Sequence, residues 1–172
     1  SYDLIALCNV EADNLSLQAR AMIQDAVKAG AGLLLVGGPF AFGRGRWQES
    51  EMLSEILPII PKGDRDLQSL SNFTTLSVRK DGPLADIFND DKTPAVRWIH
   101  LGRPKPGTTV ELSADNVPVL VTLNYGKGKI ALLAGTVLGE PRDGQVAFWD
   151  WPRWPELMNT VVLQLLPAGK LQ

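Results

Sequence analysis

The chain has 172 residues, of which 45% are hydrophobic and 21% charged, and its formal net charge is −2 at pH 7. These values fit one globular domain that buries its own core, and they argue against electrostatic capture of nucleic acid. One Cys and one His provide no zinc-ligand set and no internal disulfide, and no spaced acidic motif predicts a Mg²⁺ or Ca²⁺ site. We therefore expect no metal and no cofactor. No apolar run approaches the roughly 18 residues that cross a bilayer, so we expect no direct membrane insertion.

The first 36 residues have the pattern of a strand, a helix and a second strand. An apolar run over residues 2–8 predicts a buried strand, and Ser16 is placed to cap a helix over 17–29. Glycines then end the helix, and the apolar run 33–36 predicts the second strand. Two apolar strands around an amphipathic helix indicate a βαβ crossover, and hence a parallel sheet covered on both faces.

A glycine-rich loop follows the second strand over residues 37–47. Loops at the carboxyl ends of parallel strands form the ligand crevice in α/β sheets, and glycines there let backbone N–H groups approach an anion. The loop lacks the Gly-Lys-Ser/Thr of a P-loop. Two interpretations stay open, namely a turn whose aromatic side chains pack onto the domain, or a loop that binds a ligand or partner. The candidate residues are Gly37, Gly38, Pro39, Phe42, Arg44, Arg46 and Trp47.

The rest of the chain predicts shorter elements. The pattern indicates a short helix over 52–57, a helical turn over 84–88, strands over 73–78, 96–101, 109–112, 117–123 and 129–133, and a closing helix over 156–166. The last two strands flank Tyr125-Gly126-Lys127-Gly128, which predicts an antiparallel hairpin. The acidic pair Asp90–Asp91 lies in a polar loop and is too weak a signal for glycosidase chemistry.

An aromatic, proline-bearing loop covers residues 149–154. The candidate binding residues in this loop are Trp149 and Trp151. In one interpretation the tryptophans form a binding surface that stacks on a sugar or anchors a protein interface; in the other they pack over the sheet as a satellite core. Arg44, Arg46 and Arg142 are arginines that an anion clamp beside such a surface would use, although exposed arginines are mostly solvated. Both interpretations of this loop stay open.

Several short motifs together resemble class I glutamine-amidotransferase-like domains, in particular the putative glutamine amidotransferase and ThuA-like branches. The motifs are Tyr2-Asp3, Lys28-Ala29-Gly30-Ala31-Gly32, Gly37-Gly38-Pro39, Phe42-Gly43, Lys105-Pro106-Gly107 and Tyr125-Gly126-Lys127-Gly128-Lys129. The resemblance implies a flavodoxin-like three-layer α/β sandwich, with a mixed, mainly parallel sheet and an antiparallel hairpin extension. Such domains usually carry another strand and helix first, so the resemblance implies that residues 1–172 are a single domain, excised from a larger protein and lacking that unit.

The resemblance also implies where chemistry would occur. Active members place a nucleophilic Cys on the sharp turn after the strand matched here by residues 33–36, with a later His and acidic residue. Here those turn positions are Gly37 and Gly38, neither of which is a nucleophile. We expect Cys8 to pack in its apolar strand, as cysteines usually do, and His100 to be a strand residue with a satisfied hydrogen bond. Nothing in their spacing places His100 beside Cys8 as an activating base. The sequence therefore favours a protein that is not an enzyme.

Two functions stay open, with a cryptic hydrolase or transferase as a third. The first is a non-catalytic module for assembly with other domains of a parent protein or with further copies of itself. The second is a binding domain for a small, carbohydrate-type molecule, which would use the 37–47 and 149–154 loops. We favour the first. A cytoplasmic location is favoured, and a periplasmic one stays open if the parent protein is membrane-anchored.

Overall fold

The strands and helices follow the predicted order closely along residues 2–89, 92–167 and 169, which the computed structural model describes. The acidic pair Asp90–Asp91 lies outside these residues. The three α-helices of the described ranges are α1 Leu17–Ala29, α2 Glu51–Ile56 and α3 Trp154–Leu165. The strands are β1 Leu4–Cys8, β2 Gly32–Val36, β3 Ile59–Pro61, β4 Leu67–Thr75, β5 Ser77–Val78, β6 Pro94–His100, β7 Gly102–Pro104, β8 Thr109–Ala114, β9 Val117–Tyr125, β10 Gly128–Leu133, β11 Gly135–Thr136 and β12 Val146–Ala147.

The main sheet has six strands in the order β1-β2-β10-β9-β8-β5. Strands β1, β2 and β10 run parallel, because the α1 crossover returns the chain in the same direction. From β10 onward the sheet continues antiparallel through β9, β8 and β5, and the β9–β10 hairpin turns at Gly126 as predicted. The mixed α/β class with an antiparallel extension is confirmed, and the extension is longer than the predicted hairpin.

Helices cover the sheet on both faces. A Cβ added at Gly32 of β2 would collide with Leu165 of α3, so this face of the sheet lies against α3. A Cβ added at Gly128 of β10 would meet Val27 of α1. In the parallel register Gly32 lies opposite Lys129, the residue after Gly128. Because successive side chains of a strand point to opposite faces, Gly128 and Gly32 face opposite sides of the sheet, and so do the two helices. The result is the three-layer arrangement.

Beside the main sheet, β6 is the central strand of a second, smaller sheet. It pairs with β4, β11 and β12, while β3 pairs with β7. Pairing with β4 sets His100, the last residue of β6, opposite Leu67. This register brings the only histidine of the sequence next to the segment that contains Asp66.

Three predictions about strands were wrong. The segment predicted as one strand over 73–78 is divided between β4, which ends at Thr75, and β5, which belongs to the main sheet. Strand β1 is not buried: it is the edge strand of the main sheet, and Ala6 and Cys8 are exposed. Strand β4 begins at Leu67, six residues before the predicted start at Phe73. Its first residues are mostly polar and exposed, so they lack the apolar alternation that identifies a half-buried strand.

Candidate functional site

The 37–47 loop coils tightly after β2, and its backbone takes left-handed conformations at two residues that are not glycine. Phe42 has φ +52° and Arg46 has φ +59°. A side chain at Gly43 would collide with the main-chain oxygen of Gly63 and with Asp66, so only glycine fits there. Left-handed backbone at residues with a Cβ costs free energy, and it persists where surrounding contacts fix it.

Those contacts centre on a buried pair, His100 and Asp66. The Nδ1 atom of His100 lies 2.7 Å from Oδ2 of Asp66, and both side chains have 0% exposure. The Asp66 carboxylate also accepts hydrogen bonds from the main-chain N–H of Gly43 (3.1 Å) and Arg44 (3.2 Å). The ring of Phe42 packs edge-on against the His100 ring, with their centroids 4.8 Å apart. The pair therefore joins β6, the start of β4 and the 37–47 loop.

The second ring nitrogen of His100 is occupied by the turn after β2. Its Nε2 atom lies 3.1 Å from both the main-chain nitrogen and the carbonyl oxygen of Gly38. A Cβ added at Gly37 would lie 2.6 Å from Cδ2 of His100, and one at Gly38 would collide with Asn9. The turn has no room for a side chain in this conformation, and both nitrogens of the imidazole have partners within the protein.

The aromatic candidates of the loop belong to the core. Phe42 and Trp47 are each 1% exposed, their rings pack edge-on 5.8 Å apart, and the Trp47 indole N–H donates to the carbonyl of Val10 (2.8 Å). The structure thus places these two side chains as the packing interpretation predicts. Gly37 and Pro39 are half-buried and Gly38 is buried.

The tryptophans of the 149–154 loop also pack inward. Trp151 is 2% exposed and lies 5.1 Å from the ring of Phe88. Trp149 is half-buried, with its ring 5.0 Å from Phe148 and 6.2 Å from Phe73. Their positions fit a satellite core. Whether any of the nine candidate residues binds a ligand or partner stays a prediction.

The two candidate arginines of the 37–47 loop differ in their partners. Arg46 binds Asp13 through Nη1 (2.8 Å) and Glu49 through Nε (3.0 Å), and the hydrogen bond from Arg46 lowers the pKa of the Glu49 carboxyl. Arg44 is exposed, and its guanidinium lies 5.9 Å from the centroid of the Phe40 ring. An anion would have to compete with two carboxylates for Arg46, whereas no carboxylate of residues 2–89, 92–167 and 169 forms an ion pair with Arg44.

Cys8 is not in the sheet interior. It is exposed at the carboxyl end of β1, opposite Val36 in the register, so the expectation that it packs was wrong. The physical reason is that β1 is an edge strand. His100 makes its hydrogen bonds to Asp66 and Gly38 rather than to this thiol, which agrees with the expectation that the two residues are not a catalytic pair.

The outer edge of β1 carries main-chain groups without a strand partner among the described residues. The carbonyl of Asp3 accepts from Gly32, and the N–H of Asn9 donates to Val36, so odd-numbered residues of β1 face β2. In a parallel pair the alternate residues direct their N–H and C=O groups to the other side. Those residues are Leu4, Ala6 and Cys8.

Apolar surface adjoins this edge. Tyr2, Leu17 and Met22 are 60%, 70% and 48% exposed. Between β1 and α1 lies a hollow of about 340 Å³, lined by apolar residues that include Leu4, Leu7 and Met22. A second hollow of about 640 Å³ lies beside residues 2–3 and the carboxyl-terminal half of α1, and its lining includes Asp3 and Asp25. Exposed apolar side chains and unpaired main-chain groups therefore occur together on this side of the main sheet.

Sequence reasoning missed Asp66 entirely. It lies in the run Asp64-Arg65-Asp66, which has the composition of an exposed turn, and its burial depends on contacts from the distant segments that carry Gly43 and His100. The left-handed backbone at Phe42 gave no signal either, because a phenylalanine is not a turn residue. A hint was available in Phe42-Gly43, where a glycine permits a close approach.

Comparisons with known proteins agree with this fold. The cytoplasmic protein STM3548 from Salmonella typhimurium has a TM-score of 0.83 at 23% identity, over 96% of this chain and 72% of that chain. A ThuA-like protein from Bacteroides uniformis has a TM-score of 0.60 at 13% identity, over 93% of this chain and 68% of that chain. A cold-adapted β-galactosidase from Rahnella sp. R3 has a TM-score of 0.58 at 14% identity, over 78% of this chain and 20% of that chain. No curated protein matches the chain.

No helix in the described part of the chain is long and apolar enough to cross a membrane. The family described as "Putative glutamine amidotransferase" matches residues 2–167, nearly the whole sequence. This match agrees with the resemblance found in the motifs and with the similar solved structures. The chain therefore belongs to the putative glutamine amidotransferase family of glutamine-amidotransferase-like domains.

Proposed function

We propose that this chain is a non-catalytic member of its family and acts as an assembly module. The observation that carries the proposal is the open edge of β1 with apolar surface on its α1 side. The partner would be a β-strand that adds to this edge. We also propose a cytoplasmic location, which the name of the Salmonella protein supports.

The centre around His100 supports the non-catalytic part. A histidine activates a cysteine by binding its proton through an accessible ring nitrogen. In this chain Nε2 is taken by Gly38, Nδ1 by Asp66, and the imidazole has no exposed surface. At Gly37 a Cβ would lie 2.6 Å from the imidazole, so a nucleophile at this turn would need the ring to move.

The chemistry of the β1 edge supports assembly. Proteins usually protect edge strands with a lysine, a proline or a bulge, because bare N–H and C=O groups pair with other strands. Residues 4–8 read Leu-Ile-Ala-Leu-Cys, with none of these, and pair with β2 without a bulge. Side chains from α1, including Met22, extend the apolar surface next to the strand.

For the isolated chain, the occupant we propose is β1 of a second copy. Two β1 strands related by a twofold axis run antiparallel, so that Ala6 lies opposite Ala6 and Leu4 opposite Cys8. All the outward N–H and C=O groups then pair, and the two main sheets form one continuous sheet. In a longer protein the same edge would take a strand from another domain of that protein.

Sedimentation equilibrium tests the assembly. We expect a concentration-dependent dimer for the natural chain and a monomer for Ala6→Pro, because proline removes an outward N–H without removing a β1–β2 hydrogen bond. Ala6→Thr is the matched control, since it keeps the N–H and favours strand structure. A natural chain that stays monomeric at all concentrations, or an Ala6→Pro variant that still dimerises, would contradict the proposed occupant.

A second measurement tests the absence of catalysis. We expect no ammonia release from glutamine above the rate of the Cys8→Ser variant, which lacks the only thiol in the sequence. Release that disappears in Cys8→Ser would show a working nucleophile and overturn this part of the proposal.

A further inference from the structure

A separate cleft lies beside the segment that carries Asp66, and no residue of β1 lines it. Its volume is about 290 Å³, close to the lower limit for small-molecule pockets. Its floor combines Leu67 of β4 and Trp98 of β6, both half-buried, on two paired strands. The full lining is Arg44, Asp64, Arg65, Leu67 and Trp98.

The buried Asp66 holds the two arginine-bearing segments of this cleft together. Its carboxylate accepts the main-chain N–H of Arg44, and Asp66 itself directly follows Arg65 in the chain. The same carboxylate is fixed by His100 at 2.7 Å. The backbones that carry the two guanidinium groups are therefore set in place before any ligand arrives, which reduces the entropy lost on binding.

The charges of the cleft are not neutralised within it. Within residues 2–89, 92–167 and 169, no carboxylate oxygen lies within 4.0 Å of the guanidinium of Arg44 or Arg65. Asp64 is exposed on the cleft wall. The lining side chains thus include two guanidinium groups and one carboxylate, while the Asp66 carboxylate is buried behind them. Guanidinium groups bind carboxylate and phosphate well.

We propose that this cleft binds a small carbohydrate anion, a monosaccharide that carries a phosphate or carboxylate group. The anionic group would lie between Arg44 and Arg65. The sugar ring would place its apolar C–H face on Trp98 and donate a hydroxyl hydrogen bond to the carboxylate of Asp64. Each of the three ligand features thus has one matching feature on the wall. The proposal goes beyond assembly, because the cleft and the β1 edge have no residue in common.

Isothermal titration calorimetry with glucose 6-phosphate, glucuronate, glucose and inorganic phosphate tests the proposal. We expect saturable binding of the first two. Binding should be weaker by about tenfold or more for neutral glucose, which lacks the anionic group, and for inorganic phosphate, which lacks the sugar. Arg44→Gln and Arg65→Gln should each weaken binding of the sugar anions by about tenfold, and Trp98→Leu should weaken glucose 6-phosphate more than inorganic phosphate.

Arg46→Gln is the matched control, because Arg46 lies in the same loop but its guanidinium binds Asp13 and Glu49 outside the cleft. It should leave the affinity unchanged. The proposal fails if neither sugar anion binds at about 10 mM, because a specific site would have a dissociation constant below that concentration. It also fails if inorganic phosphate binds as tightly as glucose 6-phosphate, or if Arg46→Gln weakens binding as much as Arg44→Gln. Circular dichroism of each variant establishes that a loss of binding is not a loss of fold.

Discussion

The turn after β2 is closed, whereas the outer edge of the neighbouring strand β1 has no strand partner in the part of the chain that the structure describes. At the turn, His100 and Asp66 have no exposed side-chain surface, and each polar atom meets another part of the chain. At the edge, three residues direct main-chain groups away from the sheet, and Met22 nearby is half-exposed. The difference teaches that two neighbouring parts of one sheet can differ completely in access: protein atoms enclose the turn that follows β2, while main-chain groups of the adjacent strand face outward.

Amide hydrogen exchange measures this contrast most directly. In the monomer, the N–H groups of Gly43 and Arg44 should exchange only through large-scale unfolding, which costs about 5–15 kcal/mol in a typical domain. The N–H of Ala6 should exchange freely, and it should become protected when the protein dimerises. A protected Ala6 amide in a monomer, or a freely exchanging Gly43 amide, would remove the distinction between the two regions.

Removing the buried carboxylate should destabilise the fold more than any other single substitution at the closed turn. Asp66→Ala leaves the His100 imidazole buried without its carboxylate partner, and the buried main-chain N–H groups of Gly43 and Arg44 lose their acceptor. The free energy of unfolding should therefore fall by about 3–5 kcal/mol. Urea denaturation measures the loss. Asp64→Ala, two residues away and exposed, is the control and should change stability by no more than about 0.5 kcal/mol. Equal effects would mean that Asp66 is not the anchor of the loop.

A methyl group added to the turn tests how tightly it is closed. Gly37→Ala would place a Cβ 2.6 Å from the His100 ring, and overpacking of this kind costs about 1–3 kcal/mol. Gly144→Ala is a useful comparison, because its Cβ would meet no atom within 4 Å and only its φ of +83° is unfavourable. If Gly37→Ala retains full stability, the turn has room for a side chain, and a nucleophile could be accommodated there.

The smallest effect should come from the exposed ion pair in the same loop. Arg46→Gln removes a hydrogen bond that lowers the pKa of Glu49, and surface pairs contribute little. A carboxyl group whose pKa is lower in the folded state stabilises the protein at pH values above the pKa it has in the unfolded state, about 4.3. This stabilisation is lost as the pH falls through the pKa of the folded state. The small difference in urea midpoint between the natural chain and Arg46→Gln should therefore be present at pH 7 and vanish in acid. A difference that persists there would need another cause.

The parallel part of the fold could be predicted from sequence because its signals are local. Helix α1 spans the predicted residues 17–29, with Ser16 as the cap, since an amphipathic period and a capping residue are written within a short stretch of chain. The β9–β10 hairpin was likewise visible at its glycine turn. Strands β11 and β12 were not predicted, because each has two residues and exists only through pairing with β6.

The closed centre could not be predicted, because it depends on contacts between distant segments. His100 and Asp66 are 34 residues apart, and His100 and Gly38 are 62 apart. Neither distance leaves a periodic pattern in the chain. The two alternatives for the loop aromatics were visible in the sequence, but burial alone placed Phe42 and Trp47 in the core. The edge position of β1 was hidden for the opposite reason, since an apolar strand has the same pattern whether or not a neighbour covers it.

The sequence has one cysteine, and the structure leaves it exposed at the last residue of β1. A maleimide fluorophore or a nitroxide spin label would therefore attach at a single position without any prior removal of other thiols. Position 8 adjoins both the open edge and the turn that leads to Gly38, because the next residue, Asn9, contacts that glycine. In spin-label distance measurements, two labelled copies would show whether the strands meet antiparallel, and in emission spectroscopy one labelled copy would show when a partner covers the strand. The natural chain can thus be labelled specifically at the edge strand β1 without any substitution.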